Sequence, residues 1–206
     1  MTSLNRRPVL SRVIPDLIRD PWTGLLGLVV NPVAGLGGPA GLKGSDGTAT
    51  QQLARARGAE PHAGDRAARM LGVLATALPD VRILTAAGPM GADAVARAGL
   101  RGEAVWAPGS SDTSGDDTTA ATAALVAAGA GLVLFVGGDG TARDVVAGLP
   151  EGVPMLGVPA GVKMYSSCFA VGPEAAGALA VRWLDGGLPT RTAEVLDIDE
   201  DALRAG

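Results

Sequence analysis

Aromatic residues, histidine and cysteine are scarce in this chain of 206 residues, which holds one cysteine, one histidine, one tyrosine, two phenylalanines and three tryptophans. A lone Cys168 excludes an internal disulfide and a cysteine zinc site, and a reducing cytoplasm is the expected compartment. His62, in "EPHAGD", has no Ser, Cys or metal-ligand partner near it in the sequence and reads as a loop residue. So few aromatics argue against an aromatic-rich binding surface, whereas abundant Gly, Ala and Val favour helices packed closely on a sheet. Positive charge is not in excess either: the net charge is -4, which disfavours nucleic acid or an anionic membrane as partner. Long apolar runs are missing too. "LLGLVV" and "LVLFV" are strand-sized, far short of the roughly 18 residues that cross a bilayer, so a soluble protein is expected.

The opening stretch, "MTSLNRRPVLSRVIPDLIRDPWTG", combines scattered arginines and three prolines without a sustained period. No apolar core follows the arginines, so it is not a secretory signal, and residues 1–23 are expected to form a poorly ordered extension. From Leu25 onward short apolar runs alternate with segments of helical spacing. The runs are "LLGLVV" (25–30), "VRILTAAG" (81–88), "EAVWAPG" (103–109), "LVLFVGG" (132–138) and "VPMLGVPA" (153–160). Between them lie "DRAARMLGVLATAL", "GADAVARAG", "TTAATAALVAAG" and "TARDVVAGL". Strand alternating with helix predicts a parallel sheet, and runs this apolar predict strands covered on both faces: a doubly wound α/β domain over 24–190. Ligands of such sheets bind beyond the carboxyl ends of the strands, so the turns there hold the candidate site.

The first run exits into "NPVAGLGGPAGLKGSDG" (31–47), glycine-rich enough to bring backbone N–H groups close to a phosphate, or equally to be a long flexible loop. It lacks the Gly-Lys-Ser/Thr of a Walker A loop, and a dinucleotide fingerprint through Gly35, Gly37 and Ala40 starts too far from the strand. The fourth run exits into "GGDGT" (137–141). Thr141 and Asp144 have capping-box spacing, which predicts a helix starting at Thr141 and leaves Gly138, Asp139 and Gly140 in the turn. Backbone donors and the positive end of a helix dipole there suit a phosphate. Asp139 could instead serve only those same N–H groups; the surrounding glycines favour a ligand, since capping does not require them.

"GGDGT" resembles the motif of the superfamily that joins NAD kinases with diacylglycerol and sphingosine kinases. Together with "VVNPVAGLGGPAGLKGSDG", "TSGDDT", "LFVGGDGTARDV" and "GVPAGVKMYSSCFA" it is similar, in order and spacing, to the ATP-NAD kinase-like group that includes acetoin-catabolism accessory proteins. The resemblance implies an N-terminal α/β domain bearing "GGDGT" and a β-rich C-terminal domain. "RTAEVLDIDEDALRAG" (191–206) looks like the start of that second domain, so the chain is expected to be incomplete and to associate, as a homo-oligomer, through the apolar surface left uncovered.

It further implies transfer of a phosphate from ATP, with Mg²⁺, to the 2′-hydroxyl of NAD. Asp139 is then the general base, Gly137, Gly138, Gly140 and Thr141 line the phosphates, and Asn31 and Gly35 of "NPxxG" shape the nucleotide site. Lys163 would offset phosphate charge, although a surface lysine at a helix start fits it equally. Asp46 would contact Mg²⁺ or ribose, or simply turn the chain. Thr113, Ser114, Asp117 and Thr118 match "TSxxDT", but Ser114 and Asp117 also have capping-box spacing, and capping is the preferred reading. Cys168 reads as a small core residue. The alternatives are a nucleotide-binding accessory module without full activity and a diacylglycerol-type lipid kinase.

Overall fold

The computed structural model describes residues 24–36, 53, 56–58, 60–161, 164–186 and 188–196. The extension over 1–23, Asp46, Lys163 and the end of the chain from 197 lie outside the described residues. All five predicted strands form: β1 (Leu26–Val30), β2 (Arg82–Ala86), β3 (Arg101–Trp106), β4 (Leu132–Gly137) and β5 (Met155–Pro159). They pair in parallel in the order β3-β2-β1-β4-β5. The four predicted helices are α1 (Ala63–Ala77), α2 (Ala92–Arg97), α3 (Gly115–Ala127) and α4 (Asp139–Gly148). A fifth, α5 (Pro173–Leu184), falls outside the segments of helical spacing named above, although Pro173 in its first turn is a helix-start feature.

The strand order explains the layering. The chain builds outward from β1 to β2 and β3, then returns to place β4 on the opposite side of β1. Right-handed crossovers in the two directions put their helices on opposite faces. On one face Leu26, Leu28 and Val30 of β1 pack with α1, α2 and α5; on the other Val29, Val133 and Phe135 pack with α3 and α4. The alternation along β1 and β4 is that of strands whose successive side chains point to opposite faces. Both strands are buried along their whole length, as covering on both faces requires. β3 departs from that expectation: its first four residues are exposed, because it is the edge of the sheet and lacks a neighbour on one side.

At the other edge the chain after β5 turns back along it. The Gly157 N–H donates to the Cys168 carbonyl and the Ala170 N–H to the Gly157 carbonyl, both at 2.9 Å. A Cβ at Gly157 would collide with the Phe169 and Phe135 rings. With no side chain there, Phe169 reaches across the strand and meets fully buried Phe135 edge to face, with centroids 5.3 Å apart. Such a pair adds roughly 0.5–1.5 kcal/mol beyond the area it buries. It anchors the segment that carries residues 164–170 against the sheet, and that anchor positions the site.

Candidate active site

The strand order reverses between β1 and β4, and the crevice at such a reversal, beyond the carboxyl ends, is where open α/β sheets bind ligands. Both of the motifs singled out above exit there. Asn31 follows β1: its N–H donates to the Val136 carbonyl at 3.0 Å and its Oδ1 accepts from the Val33 N–H at 3.1 Å. Its Nδ2 donates to Thr141 Oγ1 at 3.0 Å, so the first strand exit is bonded to the fourth. The β5 exit joins them through the Ala160 N–H, which donates to the Gly137 carbonyl at 2.9 Å.

Gly35 has φ +81, and a Cβ there would overlap the Ala160 carbonyl. A side chain is thus excluded twice, by conformation and by the closeness of the β5 exit. This role is internal to the fold, binding the β1 loop to the neighbouring exit.

The helix start differs from the predicted one. α4 begins at Asp139 with Gly138 as its cap, and Thr141 lies inside the first turn. Thr141 is buried and bonded to Asn31, and its side chain fills the space that a Cβ on Gly137 would need. Capping-box spacing failed here because a partner 110 residues away in sequence competes for the same hydroxyl. Gly137 and Thr141 are accordingly packed against each other. Gly138 and Gly140 are half-buried and open. Among the described residues, a Cβ on Gly138 would meet only Met164 Cε, at 3.9 Å, and a Cβ on Gly140 would meet nothing within 4 Å. The cap of α4 is Gly138, which has no side chain to accept from the amide end of the helix.

Asp139 is half-buried. Its Oδ2 accepts from the Tyr165 N–H and its Oδ1 from the Ser166 N–H, each at 2.9 Å. The carboxylate therefore does not cap its own helix; it is held by the loop after β5. A carboxylate offers about four lone-pair sites, so two such bonds fix its orientation and leave acceptor capacity for a third group. Cys168 lies close enough to feel it. Burial, and secondarily the Asp139 charge, push the Cys168 thiol up to about 11 against the lowering effect of a backbone hydrogen bond. Cys168 is thus a buried, protonated thiol, in keeping with a core residue.

Residue chemistry does not single out Tyr165 and Ser166, because each acts on Asp139 through its main chain, which no side-chain pattern reveals. They do fall within "GVPAGVKMYSSCFA". Ser114 and Asp117 form the capping box expected of them, at the start of α3: Ser114 Oγ accepts from the Asp117 N–H, and Asp117 Oδ2 accepts from the Ser114 N–H at 2.8 Å. Thr118 is buried. His62 is the residue before α1 and makes no side-chain cap there.

A cavity of about 410 Å³ lies on the other side of the β1 exit, bordered by Pro32, Gly64, Asp65, Pro89, Asp93 and Arg97. It contains none of the predicted site residues, and the ion pair on its border, Asp65 to Arg97 at 3.0 Å, joins two exposed side chains. Among the described residues no cluster of three or more His, Cys, Asp or Glu could hold a metal ion by itself. The open backbone at Gly138 and Gly140, together with the helix end beside it, fits a phosphate group.

No helix among the described residues is long and apolar enough to cross a membrane. No curated protein and no solved structure gives a significant match to the chain. Residues 26–188 match the family model of the ATP-NAD kinase N-terminal domain, the span that runs from β1 past α5 and includes every element described above. The chain belongs to the ATP-NAD kinase family, whose N-terminal domain its residues 26–188 match.

Proposed function

We propose that the chain is an ATP-dependent NAD kinase-like phosphotransferase, with Asp139 as the general base on the 2′-hydroxyl of the adenosine ribose of NAD. The observation that carries this reading is the carboxylate itself. It stands half-exposed at a sheet switch point, oriented by two main-chain donors of another loop and next to a helix end whose cap, Gly138, has no side chain. In the reaction, Asp139 takes the hydroxyl proton as the ribose oxygen attacks the γ-phosphorus, and the bond to the departing ADP oxygen breaks. Phosphoryl transfer asks mainly for positioning and charge stabilisation. Gly138 and Gly140 give the phosphates access to backbone N–H groups, and Mg²⁺, when bound, neutralises charge that develops between them. Asn31, Gly35, Gly137 and Thr141 support the reading as the frame that holds the three strand exits together.

Lys163 follows the end of β5 at Pro159 in sequence and lies outside the described residues; it is proposed to offset phosphate charge. Residues 191–206 are proposed to begin a second, β-rich domain, and the single cysteine keeps a reducing cytoplasm as the proposed compartment.

Separate titrations with ATP and with NAD, followed by an assay for NADP, test the proposal. NADP formation that needs both nucleotides is the expected result. Binding without NADP points to an accessory module, and phosphorylation of diacylglycerol in its place points to a lipid kinase.

A further inference from the structure

The two N–H groups that hold Asp139 belong to a loop that is itself held from behind. Ser166 is buried, and while its N–H donates to Asp139 Oδ1 its hydroxyl accepts from the Leu196 N–H at 3.0 Å. Next to it the Ser167 N–H donates to the Glu194 carbonyl at 3.3 Å. Val195, between these two contacts, packs on the core beneath α3 and α4. The Ser167 hydroxyl donates to the same Glu194 carbonyl at 3.4 Å, and the segment 191–196, which has no regular secondary structure, is tied to the domain by these bonds and the Val195 side chain.

We propose that Ser166 is a positioning residue, which couples the strap 194–196 to the Asp139 carboxylate: its side chain reads the strap and its main chain aims the acid. Movement of the strap away from the sheet would free the Ser166 hydroxyl, loosen the turn at Tyr165 and Ser166, and let the acid rotate. The catalytic consequence rests on the kinase reading above; the mechanical link does not.

Amide hydrogen exchange on the full chain tests the link from both sides. Ser166→Ala removes the acceptor, Leu196→Pro removes the donor at an exposed position, and Ser166→Thr keeps the hydroxyl. The first two variants are expected to speed exchange at Tyr165 and Ser166 by about tenfold, the size of one lost hydrogen bond, with β4 amides unchanged. Ser166→Thr should retain protection. Unchanged exchange at both amides in the first two variants, or an equal rise throughout β4, would overturn the proposal. In the NADP assay, Ser166→Ala and Leu196→Pro should lower kcat by about tenfold and leave KM for NAD within about twofold. Full kcat in both would overturn the positioning role. A wild-type chain that forms no NADP would sink the kinase reading alone, because the exchange data still decide the link.

Discussion

The two halves of the carboxyl rim are built differently. Over β1, β4 and β5 the exits are bonded to one another: Asn31 to Thr141, Ala160 to Gly137, and Asp139 to Tyr165 and Ser166. Over β2 and β3 the exits are joined by a backbone bond, Ala87 N–H to the Trp106 carbonyl at 2.8 Å, and β2 then passes into a short 3₁₀ turn at Gly88–Met90 beside an exposed edge strand. On the first half side chains of residues distant in sequence join the exits, whereas on the second half the exits meet through a bond between main chains. The base role proposed for Asp139 needs a carboxylate kept within a fraction of an ångström of its target, and the bonds from Tyr165 and Ser166 restrain it in that way.

Several substitutions would break or sharpen that contrast. The largest effect is expected from Asp139→Asn, which should lower NADP formation by about 10³-fold without changing the far-UV circular dichroism, while Asp93→Asn on the opposite half should leave turnover nearly unaltered. Full activity in Asp139→Asn would end the base assignment. Gly137→Ala should destabilise the fold by about 2–3 kcal/mol in urea unfolding, since the new methyl group meets the Thr141 side chain. A cost near zero would mean that the β4 exit yields freely.

Asn31→Ala leaves the buried Thr141 hydroxyl without its donor and should cost about 1–2 kcal/mol by the same measurement. Cys168 gives a pH-dependent effect. Its folded thiol holds a proton more tightly than the unfolded chain, with a pKa raised from 9.0 to about 11, so its contribution is present below pH 9 and lost as pH rises towards 11. Cys168→Ala should flatten the stability profile in that window, and an unchanged slope would show that the thiol is not the group responsible. The smallest effect belongs to the edge: Arg82→Ala breaks an exposed ion pair with Glu103 and should shift stability by less than about 1 kcal/mol.

Much of this architecture is legible in the chain. Apolar runs and helical spacing report burial directly, and for that reason five strands and four helices can be read from the sequence. Burial on both faces holds for β1 and β4 and fails for β3, because a run of residues does not say whether its strand lies at the centre or the edge of a sheet. The helix α5 escapes the pattern, although Pro173 marks its start. At the site, "GGDGT" points to Asp139 but does not distinguish its glycines. In the structure Gly137 makes room for Thr141, while Gly138 and Gly140 stay open.

Local pattern was therefore enough for the α/β class, the parallel sheet and the turn that bears the acid, since each depends on neighbours a few residues away. Which groups hold that acid depends on contacts across 26 and 27 residues, from Asp139 to Tyr165 and Ser166, and on a bond across 110 from Asn31 to Thr141. Spacing along a chain carries no record of main-chain donors brought together by strand order, and the tertiary fold alone decided them.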